Sequence, residues 1–306
     1  MKSNKIYIFA ALLGIALVGC QKVEEQATTD NNPIDKNGWK ITVKASKEID
    51  TKALALDGTT LKGYWKDGEK VSVYFGGTLL GTLEATVGSP NTSATLSGEI
   101  EKPEELGESS SLMLLFPGRL DEKWTYMDQD GSEPTEAGEL STGFDYATAS
   151  LSVSSIDAGN KKIVTTGDAA FASQQSVYRF GFKVGGAGEA IAVKSFTISS
   201  NRNQIVRERT YNGSTWASEV GSLTVTSASD PSGNIYYVSL RNENITLDDT
   251  YSFSVVGKDN ALYEGSKVIE SSNLGNGKFL GAKSLSVSAK VLAPRVETIS
   301  EEVEVL

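Results

Sequence analysis

In Trp39-Lys40-Ile41-Thr42-Val43-Lys44-Ala45 apolar and polar residues alternate without a break. Successive side chains of an extended chain point to opposite faces, so Trp39, Ile41, Val43 and Ala45 share one face while Lys40, Thr42 and Lys44 take the other. The segment reads as a strand with one face in the core and one in water. The same period of two recurs at Val71, Val73, Phe75; at Leu83, Ala85, Val87; and at Leu151, Val153. It returns at Tyr178, Phe180, Phe182, Val184; at Leu223, Val225; at Tyr251, Phe253, Val255; and at Leu285, Val287, Ala289, Val291. Between these segments stand Asp57-Gly58, Asp67-Gly68, Asp130-Gly131, Gly185-Gly186 and Asn212-Gly213, dipeptides suited to positive φ in tight turns. No long helical period occurs, so the chain is predicted to be all-β and mainly antiparallel.

Two departures from strict alternation are informative. Leu112-Met113-Leu114-Leu115-Phe116 is apolar throughout and stops at Pro117-Gly118, which predicts a strand covered on both faces. Between Ile191, Val193 and Phe196, Ile198 the apolar parity shifts by one residue, which predicts a bulge. The strand-rich region is longer than one sandwich usually holds. Two β-sandwich domains are therefore expected, at 38–165 and 166–306, with the break near 158–174, where polar Asp157 to Lys162 and Thr165 to Asp168 separate one strand series from the next.

The chain opens with Lys2 and Lys5, an apolar run from Ile6 to Val18, and then Gly19-Cys20. This run is shorter than the roughly 20 residues a membrane-spanning helix needs and reads as a secretion signal covering 1–19. The cleavage region resembles a bacterial lipobox, which makes Cys20 the lipid attachment point. Each buried acyl CH₂ contributes ~0.8 kcal/mol, so several acyl chains hold a protein at a membrane stably. Cys20 is the only cysteine, so no disulfide can form within the chain. Residues 20–37 are polar and read as a flexible tether.

Lys2 and Lys5 lie in the signal, so of 29 basic residues 27 remain against 39 acidic ones, a net charge of −12. No basic stripe is present, and nucleic acid is not an expected partner. Histidine is absent, which removes the commonest general base and every His-ligated metal site. No pair of carboxylates is marked as convergent, so no enzymatic activity is expected. Asp128, Asp130 and Gly131 carry a fragment of a calcium-loop pattern, which Asp-Gly turn chemistry explains better. No metal and no cofactor beyond the lipid on Cys20 are expected.

Several segments, taken in order, resemble the fimbrillin family of Bacteroidales, subunits of type V pili exported as lipoproteins. They are the lipobox at Cys20; Trp39 to Ala45; Thr51-Lys52-Ala53; and Trp65, Gly68, Glu69, Val71, Val73, Tyr74. Leu114-Leu115-Phe116-Pro117-Gly118, Tyr126 with Gln129-Asp130-Gly131, Phe144-Asp145-Tyr146-Ala147 and Tyr178-Arg179-Phe180 complete the set. The resemblance implies two transthyretin-like sandwiches in tandem, attachment to the outer membrane at the cell surface, and a role in adhesion to a host or glycan receptor. It also implies assembly with other pilus subunits, or with copies of itself, by strand exchange. A protease would cut Lys52-Ala53, the strand bearing Trp39, Ile41, Val43 and Ala45 would leave, and a neighbour's strand would replace it. Lys52 could equally be a solvated loop residue.

Burial of the apolar face of that first strand is worth on the order of 5 kcal/mol, so its loss without replacement should nearly unfold the domain. A candidate donor is 296–306, where Ile299, Val303 and Val305 fall on one face and Glu301 interrupts the row. The alternative for that segment is a frayed acidic tail. A second functional reading is a surface lipoprotein that binds glycans through exposed aromatics, for which Trp124 with Tyr126 and Trp216 with Tyr211 are the candidates, Trp39 and Trp65 being assigned to the core.

Overall fold

The computed structural model describes residues 38–47, 55–57, 60–89, 91–119, 123–135, 137–184, 189–227, 232–243, 248–268, 274–275, 278–279, 284–291 and 298–305. Strands within 55–62 and beyond 274 are described by their main-chain pairing. Cys20, Lys52 and Ala53 lie outside the described residues, as do the signal and tether. Asn37–Leu306 form one compact unit, and the described residues are almost entirely β.

The first half contains β1 (Trp39–Lys47), β2 (Ala55–Asp57), β3 (Thr60–Lys62), β4 (Lys70–Phe75), β5 (Thr78–Val87), β6 (Ser93–Ile100), β7 (Ser111–Phe116) and β8 (Lys123–Thr125). A five-residue helix α1 (Glu139–Gly143) precedes β9 (Ala147–Asp157), β10 (Lys162–Thr166) and β11 (Ala169–Ser173). β2 and β3 form a small hairpin of their own.

The remaining large elements of this half close into a ring. β9, β7, β4, β5 and β6 follow one another in antiparallel order, and β6 pairs with β1 from Trp39↔Ile100 to Ser46↔Ser93. On its other side β1 runs parallel to β10 at Lys40↔Lys162 and to β11 at Ala45↔Ala169. β10 and β11 both pair with β9, so they act as two halves of one strand bent at Gly167, whose φ is +72°. The result is a seven-position, barrel-like sheet with no free edge at β1. The first sheet thus continues through Ser173, because both halves of the bent strand lie between β1 and β9.

The second half holds β12 (Ser176–Val184), β13 (Val193–Ser200), β14 (Val206–Tyr211), β15 (Trp216–Val220), β16 (Leu223–Thr226), a 3-10 turn (Ser232–Asn234), β17 (Ile235–Leu240), β18 (Thr250–Gly257) and β19 (Leu262–Val268). β20 (Leu274–Gly275), β21 (Lys278–Phe279), β22 (Ser284–Val291) and β23 (Thr298–Val305) follow. An antiparallel sheet runs β16-β13-β18-β19-β22-β23-β12-β17. It folds over so that Phe180 and Phe182 of β12 meet Phe196 of β13 at 5.6 and 4.8 Å between ring centroids, and Phe180 meets Phe253 of β18 at 5.7 Å. The parity shift expected before Phe196 is present: pairing with β18 slips between Val193 and Ser195.

A third sheet, β15-β14-β8, takes one strand from the first half and two from the second. It explains the uninterrupted apolar run of β7. Leu112, Leu114 and Phe116 point into the ring's own core, whereas Leu115 and Tyr74 of β4 point outward and join the core of the second half with Trp124, Tyr126 and Tyr146. Tyr74 meets Tyr211 edge-on at 5.1 Å. The tip of the β14–β15 hairpin also rests on the β4–β5 turn: Gly213 has φ +92°, and a Cβ there would collide with the carbonyl of Gly77.

Candidate functional site: the first strand and its buried lysine

The strand expected to be exchangeable is the one that closes the ring. Ile41, Val43 and Ala45 are buried as their alternation predicts, while Lys40, Thr42 and Lys44 are exposed. Trp39 is only half-buried at the mouth of the ring, with the Lys102 ammonium 5.6 Å from its ring centre. Releasing β1 would uncover unpaired main-chain groups along both β6 and β10–β11, a ready template for another strand.

The inward row of β1 does not end at Ala45. Lys47 is next on the same face, and its side chain is 1% exposed. Its Nζ donates to Asp145 Oδ2 at 2.9 Å and to the Tyr64 carbonyl at 3.2 Å, and lies 3.6 Å from Glu69 Oε2. The same nitrogen sits 3.8 Å from the ring centre of Phe116 and 4.5 Å from that of Trp65. Trp65 is in turn packed edge-on against Phe116 and Phe171. A charge so deep is tolerated because it is paired and hydrogen-bonded, and because two aromatic faces add cation–π attraction.

Asp145 is buried at the entry to β9, immediately after α1. Glu69 sits in the turn before β4, where its Oε2 accepts the Lys66 N–H at 3.1 Å, and its side chain keeps a 19% opening to solvent. Burial holds the Glu69 carboxyl above the ordinary carboxylate range, although Lys47 pulls the other way. Three segments quoted for the fimbrillin resemblance, around Trp65–Glu69, Phe116 and Asp145, therefore converge on one lysine. The sequence reading passed over Lys47 because an amphipathic rule assigns lysine to water; the one available signal was its parity with Ile41, Val43 and Ala45.

The candidate donor segment occupies a place in its own chain. β23 lies between β12 and β22, antiparallel to both, with Ile299 opposite Val184 and Ala289, Val303 opposite Phe180 and Leu285, and Val305 opposite Tyr178.

The aromatics proposed as sugar platforms are not displayed. Trp124 and Tyr126 are fully buried, because pairing of β8 with β14 tucks Trp124 between Tyr146, stacked at 4.9 Å, and Trp216 at 4.2 Å. Tyr211 is buried, and half-buried Trp216 carries the Arg209 guanidinium 4.4 Å over its ring. Burial, with the like charge of Arg241 nearby, brings Arg209 down to about 10. This correction follows from the third sheet, which nothing in the local sequence announces.

Asp130-Gly131 forms a turn, with Gly131 at φ +72° and Asp130 Oδ1 accepting the Ser132 N–H at 2.7 Å. Glu139 reaches back so that its Oε2 accepts the Asp130 N–H at 2.8 Å. Burial, helped by the Asp130 side chain and opposed by the hydrogen bond from the Asp130 N–H, pushes Glu139 up to about 7. Burial would raise Asp130 as well, yet hydrogen bonds from Glu139 and Ser132 outweigh it and hold that carboxyl low. Among the described residues no group of three or more His, Cys, Asp or Glu side chains is placed to hold a metal ion, and no helix is long and apolar enough to cross a membrane.

The sequence matches no protein-family model and no curated protein. Among solved structures, a "putative cell adhesion protein" from Bacteroides uniformis aligns over 82% of this chain and 98% of its own, at 16% identity and a TM-score of 0.42.

Proposed function

We propose that this chain is a non-catalytic structural or accessory subunit of a surface fimbria, exported as a lipoprotein through Cys20, held at the outer membrane and contributing to adhesion. The observation that supports it is the position of β1: the first strand after the tether is also the strand that closes the ring. One cut in the connection after Lys47, at Lys52-Ala53 on this reading, would separate that strand from the rest of the chain. The gap between β6 and β10–β11 would then fit an extended segment from a neighbour, bonded through its main chain on both sides. β23 is the corresponding donor, a C-terminal strand held in its own sheet until a partner competes for it. On the same reading the two halves correspond to transthyretin-like sandwiches in tandem.

A stalk position requires β1 to leave, whereas an accessory or terminal position allows it to stay. Immuno-electron microscopy of cells expressing the full chain, with antibody against its mature part, should label filaments; label confined to the envelope with no filaments contradicts the fimbrial reading. Separately, a trypsin-like protease acting on the folded lipoprotein should cut at Lys52, and oligomers that resist mild detergent should follow if strand exchange operates. Clean cutting that leaves only monomer counts against exchange at β1.

The glycan-binding alternative loses its basis, since its four aromatics are buried or half-buried in the junction between the two halves.

A further inference from the structure

We propose that Lys47 and Asp145 become joined by an intramolecular amide bond, formed by the protein itself with Glu69 relaying the protons. The geometry is that of a bound nucleophile and its electrophile. Lys47 Nζ is 2.9 Å from Asp145 Oδ2, so the Asp145 Cγ is the adjacent atom, and both side chains are fixed by burial at 1% and 3% exposure. Two groups held this close react as if at very high concentration, and the ordering cost has already been met by folding. The aromatic walls of Phe116 and Trp65 keep bulk water from the pair. Glu69, 3.6 Å from Nζ, is the one member of the cluster with an opening to solvent.

The chemistry balances without any co-reactant. One proton passes from the ammonium through Glu69 to the Asp145 carboxylate, leaving a neutral amine beside a carboxylic acid. The Nζ lone pair attacks Cγ and forms the C–N bond. Of the two protons left on the amine nitrogen, one is carried by Glu69 to the departing hydroxyl and the other stays as the amide N–H; the C–O bond breaks, and one water leaves past Glu69. Glu69 finishes as it began. A carboxyl whose affinity for protons is raised by burial is suited to passing them on.

The amide stands apart from the fimbrial reading, but its consequence for assembly rests on that reading. A bond from the last residue of β1 to the entry of β9 ties the closing strand to the ring even after a cut at Lys52-Ala53. A chain so locked cannot accept a neighbour's strand at this position and takes an accessory or terminal place in the fibre, with β23 as its remaining means of exchange.

The test is the mass of the full lipidated chain purified from expressing cells, followed by a proteolytic digest. The wild type should be lighter by one water, Lys47 should resist trypsin, and a branched peptide should join the segments holding Lys47 and Asp145. Lys47→Arg and Asp145→Ala should restore the missing water, and Glu69→Gln should restore it while leaving both reacting residues in place. Full mass in the wild type, with tryptic cleavage at Lys47, overturns the proposal. So does loss of water traced to an Asp-Gly dipeptide such as Asp67-Gly68 or Asp130-Gly131 in an unbranched peptide, since those sites dehydrate without any cross-link. The wild-type result needs no variant to fold, and it is read independently of whether filaments are seen.

Discussion

Glu139 shows how one side chain can give this protein a measurable pH dependence. Burial pushes its carboxyl up to about 7 in the fold, from the ordinary 4.5 of an exposed glutamate. The folded state therefore holds a proton that the unfolded chain has released between those two values. That contribution to stability is complete below about 4.5 and is lost as the pH rises through about 7. In Glu139→Gln the amide oxygen still accepts the Asp130 N–H but no longer titrates. Urea denaturation at pH 5 and pH 8 should show the wild type falling relative to this variant at the higher pH, by on the order of 1 kcal/mol once screening of the partly exposed side chain is allowed for. Asp130, held low, acts in the opposite sense, and its contribution is lost only on acidification below the ordinary carboxylate range. At Gly213 the constraint is steric: with φ +92° and the Gly77 carbonyl against it, Gly213→Ala should cost about 1–3 kcal/mol by the same measurement.

Among the elements, β1 combines the most regular alternation with the most demanding position. Its wet face should tolerate change: Thr42→Ser is expected to lie within about ±0.5 kcal/mol of the wild type. Its inward face should not, and Ile41→Ala should cost about 2–5 kcal/mol, since Ile41 is 1% exposed and packed in the ring core. A thermal or urea series across Ile41, Thr42, Val43 and Lys44 should thus give alternating large and small losses. A flat series would mean that β1 is not seated as described. Lys47 breaks the simple rule, being charged and yet on the buried face, and it does so where two carboxylates and two aromatic rings come together from β4, β7, β9 and their connections.

Across the whole molecule the two halves share packing through Tyr74, Leu115 and Trp124, which belong by sequence to the first half and by contact to the core of the second. Unfolding of the described region should consequently be concerted. Differential scanning calorimetry should give one main transition, and Trp124→Ala should lower it by the equivalent of about 3–5 kcal/mol. Two well-separated transitions, with only one moved by Trp124→Ala, would show that the junction contributes little.

Alternation alone determined that the chain is all-β, where β1 lies and that Ile41, Val43 and Ala45 are buried, because the period of two is a property of the extended backbone itself; the partial exposure of Trp39 and the burial of Lys47 it did not determine. The all-apolar run of β7 and the bulge before Phe196 were legible for the same reason. Closure of the ring, the reach of its last strand to Ser173, the burial of Trp124 and Tyr126, and the meeting of Lys47 with Asp145 and Glu69 were decided only in three dimensions. Those features depend on which strands become neighbours, and local sequence carries no label for a partner a hundred residues away.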